Sequence, residues 1–180
     1  MITLIVAMDE AHLIGRGNEL PWQLSGDLRR FRQITMGGVL IMGRKTWQSL
    51  PGSKPFLDGR VNCVITRDPA KHTAAVADTR DDECGPFFFD SIDAAIAFSR
   101  DGLAMMTREI FLMGGREIYT AALEAGVIDR MLITHVKGTH EGDVYFPEIG
   151  DEWVGRLDYE DKREGLFEVL EYVRRPKEQS

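Results

Sequence analysis

The sequence predicts an α/β fold: residues 1–180 form a single domain around a mostly parallel, twisted central sheet of about eight strands. Short apolar, β-rich runs alternate along the chain with segments whose apolar residues recur at helical spacing, as expected where helices connect parallel strands. The 180 residues suffice for one sizeable core, and no linker-like segment divides them. About four helices are expected to flank the sheet.

The predicted strands are the apolar runs, beginning with MITLIVAM at the N-terminus. We predict strands at residues 2–8, 39–43, 60–66, 109–113, 130–136, 153–160 and 166–174, with a further short one at 87–89. The segment KREGLF joins the last two, which are therefore expected to form an antiparallel C-terminal hairpin.

The predicted helices are the segments with amphipathic periodicity, residues 25–36, 44–50, 91–100 and 115–125. Residues 67–90 show neither pattern clearly, and apart from the strand at 87–89 we interpret them as loop.

Composition narrows the possible partners. Hydrophobic residues make up 43% and charged residues 28% of the chain, and 22 basic against 29 acidic side chains give a net charge of −7. That balance argues against nucleic acid or an anionic membrane surface as the main partner. The N-terminal apolar run lacks a basic flank and is far shorter than the ~20 residues of a membrane span. With no surplus of apolar surface in the pattern, a monomer is expected.

The two cysteines, Cys63 and Cys84, have no metal-type spacing. We therefore expect no metal site, two packing cysteines and a reducing, cytoplasmic location.

Residues 25–36 carry an acidic residue where the helical pattern calls for an apolar one. Ser25 is expected to cap the helix, and the stripe expected to be buried comprises Leu24, Leu28, Phe31 and Ile34. Arg29, Arg30, Arg32 and Gln33 are expected on the solvent side. Asp27 belongs to the apolar stripe by its spacing.

Two interpretations of Asp27 stay open. An acidic residue in a first helical turn is favoured by the helix dipole and can simply be exposed. A buried carboxylate without a partner costs several kcal/mol, so a stripe position favours a ligand that supplies the missing donors. A planar edge with a ring N–H beside an exocyclic amine would satisfy both oxygens.

Basic residues follow two neighbouring predicted strands. In VLIMGRKTW, Gly43 ends a strand and Arg44, Lys45 and Thr46 open a helix, while Arg67 follows the strand at 60–66. In an acidic protein this group suits a dianionic phosphate, such as the one that distinguishes NADPH from NADH; solvated turns are the alternative. The spacing of Gly38, Gly43 and Lys45 is not a P-loop, because the intervening VLIM forms a strand.

A pair of glycines, Gly114 and Gly115, lies between a predicted strand and a predicted helix. Small residues at such a turn let phosphates approach the backbone, although turn geometry alone also explains them. The pattern is not G-x-G-x-x-G, so a Rossmann dinucleotide site is not indicated.

Several motifs now occur together in one order: LPW at 20–22, DLRRF at 27–31, IMGRKTW at 41–47, MGGREIY at 113–119, LITH at 132–135 and EGDVYFP at 141–147. This order resembles the dihydrofolate reductase family over nearly the whole chain. LIVAMDEAHLIGRGNELPW is similar to that family's first strand and mobile active-site loop, here residues 9–24 with Gly15 and Gly17 as hinges.

The resemblance implies Asp27, Trp22, Leu20 and Thr134 as the catalytic group. Asp27 would grip N3–H and the 2-amino group of the pterin, and the Thr134 hydroxyl would support it. Trp22 would hold an ordered water, and Leu20 would lie at the tip of the closing loop. The implied folate pocket consists of Ile5, Ala7, Asp27, Leu28, Phe31, Leu50, Arg60, Met113 and Thr134, with Arg60 paired to the α-carboxylate of the glutamate tail.

The implied NADPH site draws on several strand ends. Its residues are Ala7, Ile14, Gly15, Asn18, Leu20, Gly43, Arg44, Lys45, Thr46, Thr66, Arg67, Met113, Gly114, Gly115, Arg116, Glu117, Ile118 and Tyr119. Arg116 replaces a small residue of many relatives and Glu117 a basic residue of some, so Arg44, Lys45 and Arg67 are expected to grip the 2′-phosphate. Asp143 would help to set the closed loop.

The implied reaction, a step of one-carbon metabolism, is hydride transfer from NADPH to C6 of 7,8-dihydrofolate with protonation at N5, giving tetrahydrofolate. The implied partners are dihydrofolate and antifolate inhibitors. Two alternatives stay open: a related NADPH-dependent pyrimidine reductase of riboflavin biosynthesis, against which the pairing of Trp22 with Asp27 argues, and a non-catalytic folate-binding protein.

Overall fold

The computed structural model describes residues 1–51, 56–76, 84–102, 109–163 and 165–176. Its strands are β1 Ile2–Asp9, β2 Leu13–Gly15, β3 Val39–Gly43, β4 Val61–Ile65, β5 Phe87–Phe89, β6 Ile110–Leu112, β7 Arg130–Val136, β8 Val144–Tyr145, β9 Trp153–Glu160 and β10 Phe167–Arg174. Its helices are α1 Ser25–Thr35, α2 Arg44–Gln48, α3 Pro69–Ala75, α4 Ile92–Ala97 and α5 Arg116–Glu124, and a π-helical turn, Phe98–Gly102, continues α4.

Eight strands form one sheet in the order β5-β4-β3-β6-β1-β7-β10-β9. The pairs from β5 to β7 are parallel, and β10 is antiparallel to both β7 and β9. The predicted fold class, the eight strands and the C-terminal hairpin are therefore confirmed. The turn residue Glu164 lies outside the described residues.

Three elements were not predicted. β2 and β8, of three and two residues, form a separate antiparallel pair. α3 lies in the segment interpreted as loop, so the described residues contain five α-helices where about four were expected. Asp68 caps α3 by accepting the Lys71 N–H at 3.0 Å, and Pro69 occupies its first turn. Residues 77–83 of the same segment lie outside the described residues.

The core lies on both faces of the sheet because parallel strands alternate their side chains between two helical layers. One cluster joins β-strand residues to Ala95 and Ile96 of α4 and to Tyr119 and Ala122 of α5. The cluster on the other face contains Leu40, Met42, Val64 and Phe111, against which residues of α1 and α2 pack. Within the described residues, no helix is long and apolar enough to cross a membrane.

The start of α1 differs from the prediction. Leu24 occupies the N-cap position and no side chain caps the helix, so the expected Ser25 cap is wrong. The expected buried stripe is only partly buried: Leu24 is 5% exposed, whereas Leu28 is 57% exposed. This face of α1 borders an open cleft, which is why apolar side chains remain accessible on it.

Arg30 was expected on the solvent side of α1, and that expectation is also wrong. Its side chain is 17% exposed, pairs with Asp158 of β9 and lies with its guanidinium carbon 5.6 Å from the Tyr159 ring centre. A long-range partner, which helical spacing does not reveal, draws this cation inward.

Candidate active site

A cleft of about 2390 Å³ runs along the carboxyl-terminal ends of the parallel strands, where open α/β sheets bind ligands. It crosses β1 and β7 beside α1 and continues past the ends of β3, β4 and β6 to the starts of α2 and α5. Every predicted site residue except Trp22 lines it. The residues predicted from the sequence therefore lie on one continuous surface, and their roles remain predictions.

Asp27 lies on this cleft in the first turn of α1. The Thr134 hydroxyl, on β7, donates a hydrogen bond to Asp27 Oδ1 at 2.7 Å. Thr134 itself is 5% exposed, so the neighbouring strand holds this donor rigidly. Among the described residues, Asp27 has no ion pair, since Arg30 one turn later is paired with Asp158.

Burial dominates the electrostatics of Asp27. Loss of hydration raises the pKa of its carboxyl, while the Thr134 hydrogen bond and then the Arg30 charge lower it by smaller amounts. An acid whose pKa lies above its ordinary value, in a cleft, is suited to hold a proton nearer neutral pH.

Trp22 is not among the residues that line the cleft. It is 8% exposed, packs in a cluster with Leu24, Val136 and Phe167, and meets the His140 ring edge-on at 5.1 Å. Its buried indole N–H has no acceptor among the described residues. Buried N–H groups normally have a partner, so this donor fits the predicted role of holding a water molecule.

The apolar part of the cleft lies beside Asp27. Four half-buried apolar residues pack there against the cluster that contains Leu40 and Phe111: Ile5 of β1, Phe31 of α1, Leu50 after α2 and Met113 after β6. Leu28 of α1 also lines the cleft and is largely exposed. Ser49, Phe56 and Leu57 also line this end and were not predicted. The slot suits a flat heterocycle with an apolar extension.

Arg60 closes the apolar end. It is 6% exposed, and its Nε donates to the Asp58 carbonyl oxygen at 3.1 Å. Burial, followed by the nearby charge of Arg32, lowers the pKa of the guanidinium. Arg32 also lines the cleft and was not predicted to do so. Two cations on one wall favour an anionic group at this end of the ligand.

The other end of the cleft is built from backbone. Gly43 N–H donates to the Gly114 carbonyl oxygen at 2.6 Å, which brings the ends of β3 and β6 together. Gly114 has φ +110°, and a Cβ there would lie 3.0 Å from the Tyr119 hydroxyl, so only glycine fits. α5 begins at Arg116, and its N-cap Gly115 offers no side-chain acceptor to the first N–H groups of the helix, at a point where the start of α5 lines the cleft.

Several basic side chains lie in this part of the cleft, together with the acidic Asp68, Asp90 and Glu117. Arg44, Lys45 and Arg67 all line the cleft, as predicted from their positions after β3 and β4. Lys71 and His72 of α3 line it too. These two were missed because α3 was interpreted as loop, although Asp68-Pro69 is a helix-start signal that would have revealed it.

The loop between β1 and α1 forms one wall. β2 pairs with β8, the Gly17 N–H donates to Asp143 Oδ1 at 3.1 Å, and the Asp143 N–H donates to the Gly15 carbonyl oxygen at 3.1 Å. Asn18 Nδ2 donates to the Lys45 carbonyl oxygen at 3.2 Å. The loop thus contacts the basic end, while Leu20 remains 49% exposed at its tip.

Comparisons with known proteins point to one family. A family model for dihydrofolate reductase matches residues 1–173. The dihydrofolate reductase of Neisseria meningitidis serogroup A is 42% identical over 148 residues, which cover 82% of this chain and 80% of that protein. Dihydrofolate reductase of Bacillus subtilis is 35% identical over 153 residues, covering 84% and 78%. Dihydrofolate reductase type 3 of Salmonella typhimurium is 35% identical over 148 residues, covering 82% and 79%.

Proposed function

This chain belongs to the dihydrofolate reductase family, and we propose that it reduces 7,8-dihydrofolate to 5,6,7,8-tetrahydrofolate with NADPH as the reductant. The observation that carries the proposal is Asp27: a carboxylate in a cleft, held by one hydroxyl donor and by no ion pair among the described residues. The match over residues 1–173 favours this activity over the pyrimidine reductase alternative.

Asp27 recognises the pterin through its remaining acceptor capacity. Thr134 occupies one position on Oδ1, so both oxygens can still accept an N–H each from N3 and the 2-amino group. A ligand that supplies these donors offsets the desolvation that burial imposes on the carboxylate. Selectivity for the pterin edge follows, because a ring without these donors leaves the carboxylate unsatisfied.

Asp27 also handles the proton. Its pKa is raised by burial, so it holds a proton closer to neutral pH than an exposed aspartate does, and it passes this proton toward N5 through water near Leu20 and Trp22. The Trp22 indole N–H is an available donor for such a water. When bound, NADPH supplies the hydride that C6 receives.

The chain's residues fit a dinucleotide phosphate cofactor. The glycines at positions 43, 114 and 115 leave the backbone accessible. A Cβ at Gly114 would lie 3.0 Å from the Tyr119 hydroxyl, and Cβ atoms at Gly43 and Gly115 would fill the space 3.4 Å from Ile118 and Thr46. The start of α5 offers N–H groups for the pyrophosphate. Arg44, Lys45 and Arg67 provide the charge that a 2′-phosphate requires, which is the basis for proposing NADPH rather than NADH.

The loop that carries Leu20 excludes water during the reaction. Its contacts with Asp143 and, through Asn18, with Lys45 hold it beside the cleft, and Leu20 lines the cleft with its side chain half exposed. A covered site strengthens each electrostatic contact inside it.

We also propose a monomer that works in the cytoplasm. Cys63 is a buried thiol in the core, and burial raises its pKa to about 12, so it is a packing residue rather than a nucleophile. Size-exclusion chromatography with light scattering checks the proposed mass of one chain.

The decisive experiment mixes the full chain with NADPH and 7,8-dihydrofolate and follows absorbance at 340 nm. We expect the signal to fall at a rate proportional to enzyme, and Asp27→Asn to lower that rate. Binding of dihydrofolate without loss of absorbance would support the folate-binding alternative instead.

A further inference from the structure

Arg30 is a cation placed between two cavities. A second cavity, of about 780 Å³, lies between α1 and the strands β6, β7 and β9. Arg30, Ile34 and Leu132 line both this cavity and the cleft that holds Asp27. Arg30 therefore borders both spaces, with β9 beside one and Asp27 beside the other.

The structure shows it held toward β9. Its Nη2 pairs with Asp158 Oδ2, and its guanidinium carbon lies 5.6 Å from the centre of the Tyr159 ring. Its buried Nε–H has no acceptor among the described residues. The guanidinium is thus incompletely satisfied, and Asp158 is the carboxylate that retains it.

Asp27 is the natural competitor for this cation. It precedes Arg30 by three residues on α1, a spacing at which helical side chains meet, and the Arg30 charge already acts on it. The other charged or titratable groups around the second cavity have partners or are exposed. Arg130 pairs with Glu109 and Glu171, the Asp161 carboxylate accepts the Arg163 and Leu166 N–H groups, and Arg29 is exposed.

We propose that Asp158 is a positioning residue for the reductase reaction. It holds the Arg30 guanidinium on the β9 side of α1 and so leaves the Asp27 carboxylate open to the pterin. The inference rests on the proposed function of Asp27, but its structural part, the placement of Arg30, does not require turnover.

The exposed position of Asp158 limits what this pair adds to stability. Asp158 is 38% exposed, and ion pairs in such positions contribute little to stability. The effect of Asp158 on Asp27 is larger. A guanidinium in contact with a carboxylate strongly favours the ionised form, and an Asp27 that is ionised and paired with Arg30 neither accepts the pterin donors nor carries a proton.

The test is a ¹³C titration of the Asp27 carboxyl in the full chain labelled at aspartate Cγ, with the signal assigned by its loss in Asp27→Asn. Asp158→Asn should lower the titration midpoint by at least ~0.5 pH unit, because the freed guanidinium approaches Asp27. Arg30→Met should raise the midpoint. Arg29→Met, which removes an exposed cation from the same helix, should leave it unchanged.

The double variant Arg30→Met/Asp158→Asn distinguishes two effects of Asp158: its hold on the Arg30 guanidinium, and the direct action of its negative charge on Asp27. If Asp158 acts through Arg30, its substitution in the Arg30→Met background should move the midpoint by less than half of its effect in the wild-type chain. An equal effect in both backgrounds would overturn the proposal, as would an unmoved midpoint in Asp158→Asn. Asp158→Ser repeats the test if Asp158→Asn does not fold, as judged by near-UV circular dichroism.

Turnover provides the second readout. Asp158→Asn should move the alkaline fall of kcat/KM for dihydrofolate to lower pH by the same amount as the titration midpoint, and Arg30→Met should move it to higher pH. If the chain turns over dihydrofolate but the Asp27 titration midpoint does not move in the variants, the role of Asp158 is refuted and the proposed reductase function stands. Absence of turnover in the wild-type chain would refute the proposed function and leave the titration to decide the placement of Arg30.

Discussion

Replacing Thr134 by valine tests how the cleft tunes Asp27. Valine keeps the shape of threonine but removes the hydroxyl that donates to Asp27 Oδ1 at 2.7 Å. That hydrogen bond favours the ionised carboxylate, so its loss should raise the pKa of Asp27 beyond the increase that burial already causes.

The size of the effect follows from the bond removed. A hydrogen bond to a charged group contributes about 1.5–3 kcal/mol, and one pKa unit corresponds to about 1.4 kcal/mol. Complete loss of the bond would therefore raise the pKa of Asp27 by about 1–2 units. Because Asp27 borders an open cleft, water can replace part of the lost donor, and we expect about 1 unit.

The assay is the pH dependence of kcat/KM for dihydrofolate, with Thr134→Ser as the matched control that retains a hydroxyl. Activity that depends on a protonated acid falls as pH rises through its pKa. Thr134→Val should therefore move this fall to higher pH by about 1 unit, whereas Thr134→Ser should move it little. Identical profiles for the wild type and Thr134→Val, or equal shifts in both variants, would refute the reasoning.

Three further outcomes are expected. Arg44→Ala should weaken NADPH binding by about 10–100-fold, because it removes a charge-assisted contact, and should weaken NADH binding far less. Fluorescence titration measures both affinities, with Arg29→Ala as the control. Equal losses for the two cofactors would mean that Arg44 does not contact the 2′-phosphate. Gly43→Ala should keep the melting temperature, because Gly43 has φ −75° and an added Cβ would lie 3.4 Å from Ile118. The same variant should weaken NADPH binding at least ~10-fold, because the added methyl group narrows the space in which the pyrophosphate approaches the backbone. Unchanged NADPH affinity would contradict the proposed pyrophosphate position. Asp27→Asn should raise the melting temperature at pH 7, because a carboxyl whose folded pKa is raised costs folding free energy once it is ionised. That gain should fade as pH drops toward the ordinary value of 3.8, and a pH-independent gain would refute the linkage.

The sheet could be predicted because its strands are buried on both faces and read as continuous apolar runs. MITLIVAM and VLIMG became β1 and β3 within one residue of the predicted bounds. The pair of β2 and β8 could not be predicted, since each has at most three residues and the partners, such as Leu13 and Tyr145, lie far apart in the sequence. Local pattern carries no information about such a contact.

The candidate site was predictable where a residue violates its local pattern. Asp27 interrupts an apolar stripe, and the structure places it on the cleft with Thr134 as its donor. Arg30 was not predictable in the same way, because its position depends on Asp158, 128 residues later. The exposure of Leu28 had a different cause: helical spacing identifies an apolar face but not whether that face packs on protein or borders an open cleft.

Asp27 is the acid that serves the pterin, and its role is the central claim. The direct measurement compares single-turnover NADPH oxidation by the wild type and by Asp27→Asn across pH, with dihydrofolate saturating. We predict a loss of at least ~10²-fold at pH 7 that shrinks at low pH, where the substrate is already protonated. Equal rates of the two proteins at pH 7 would contradict the account.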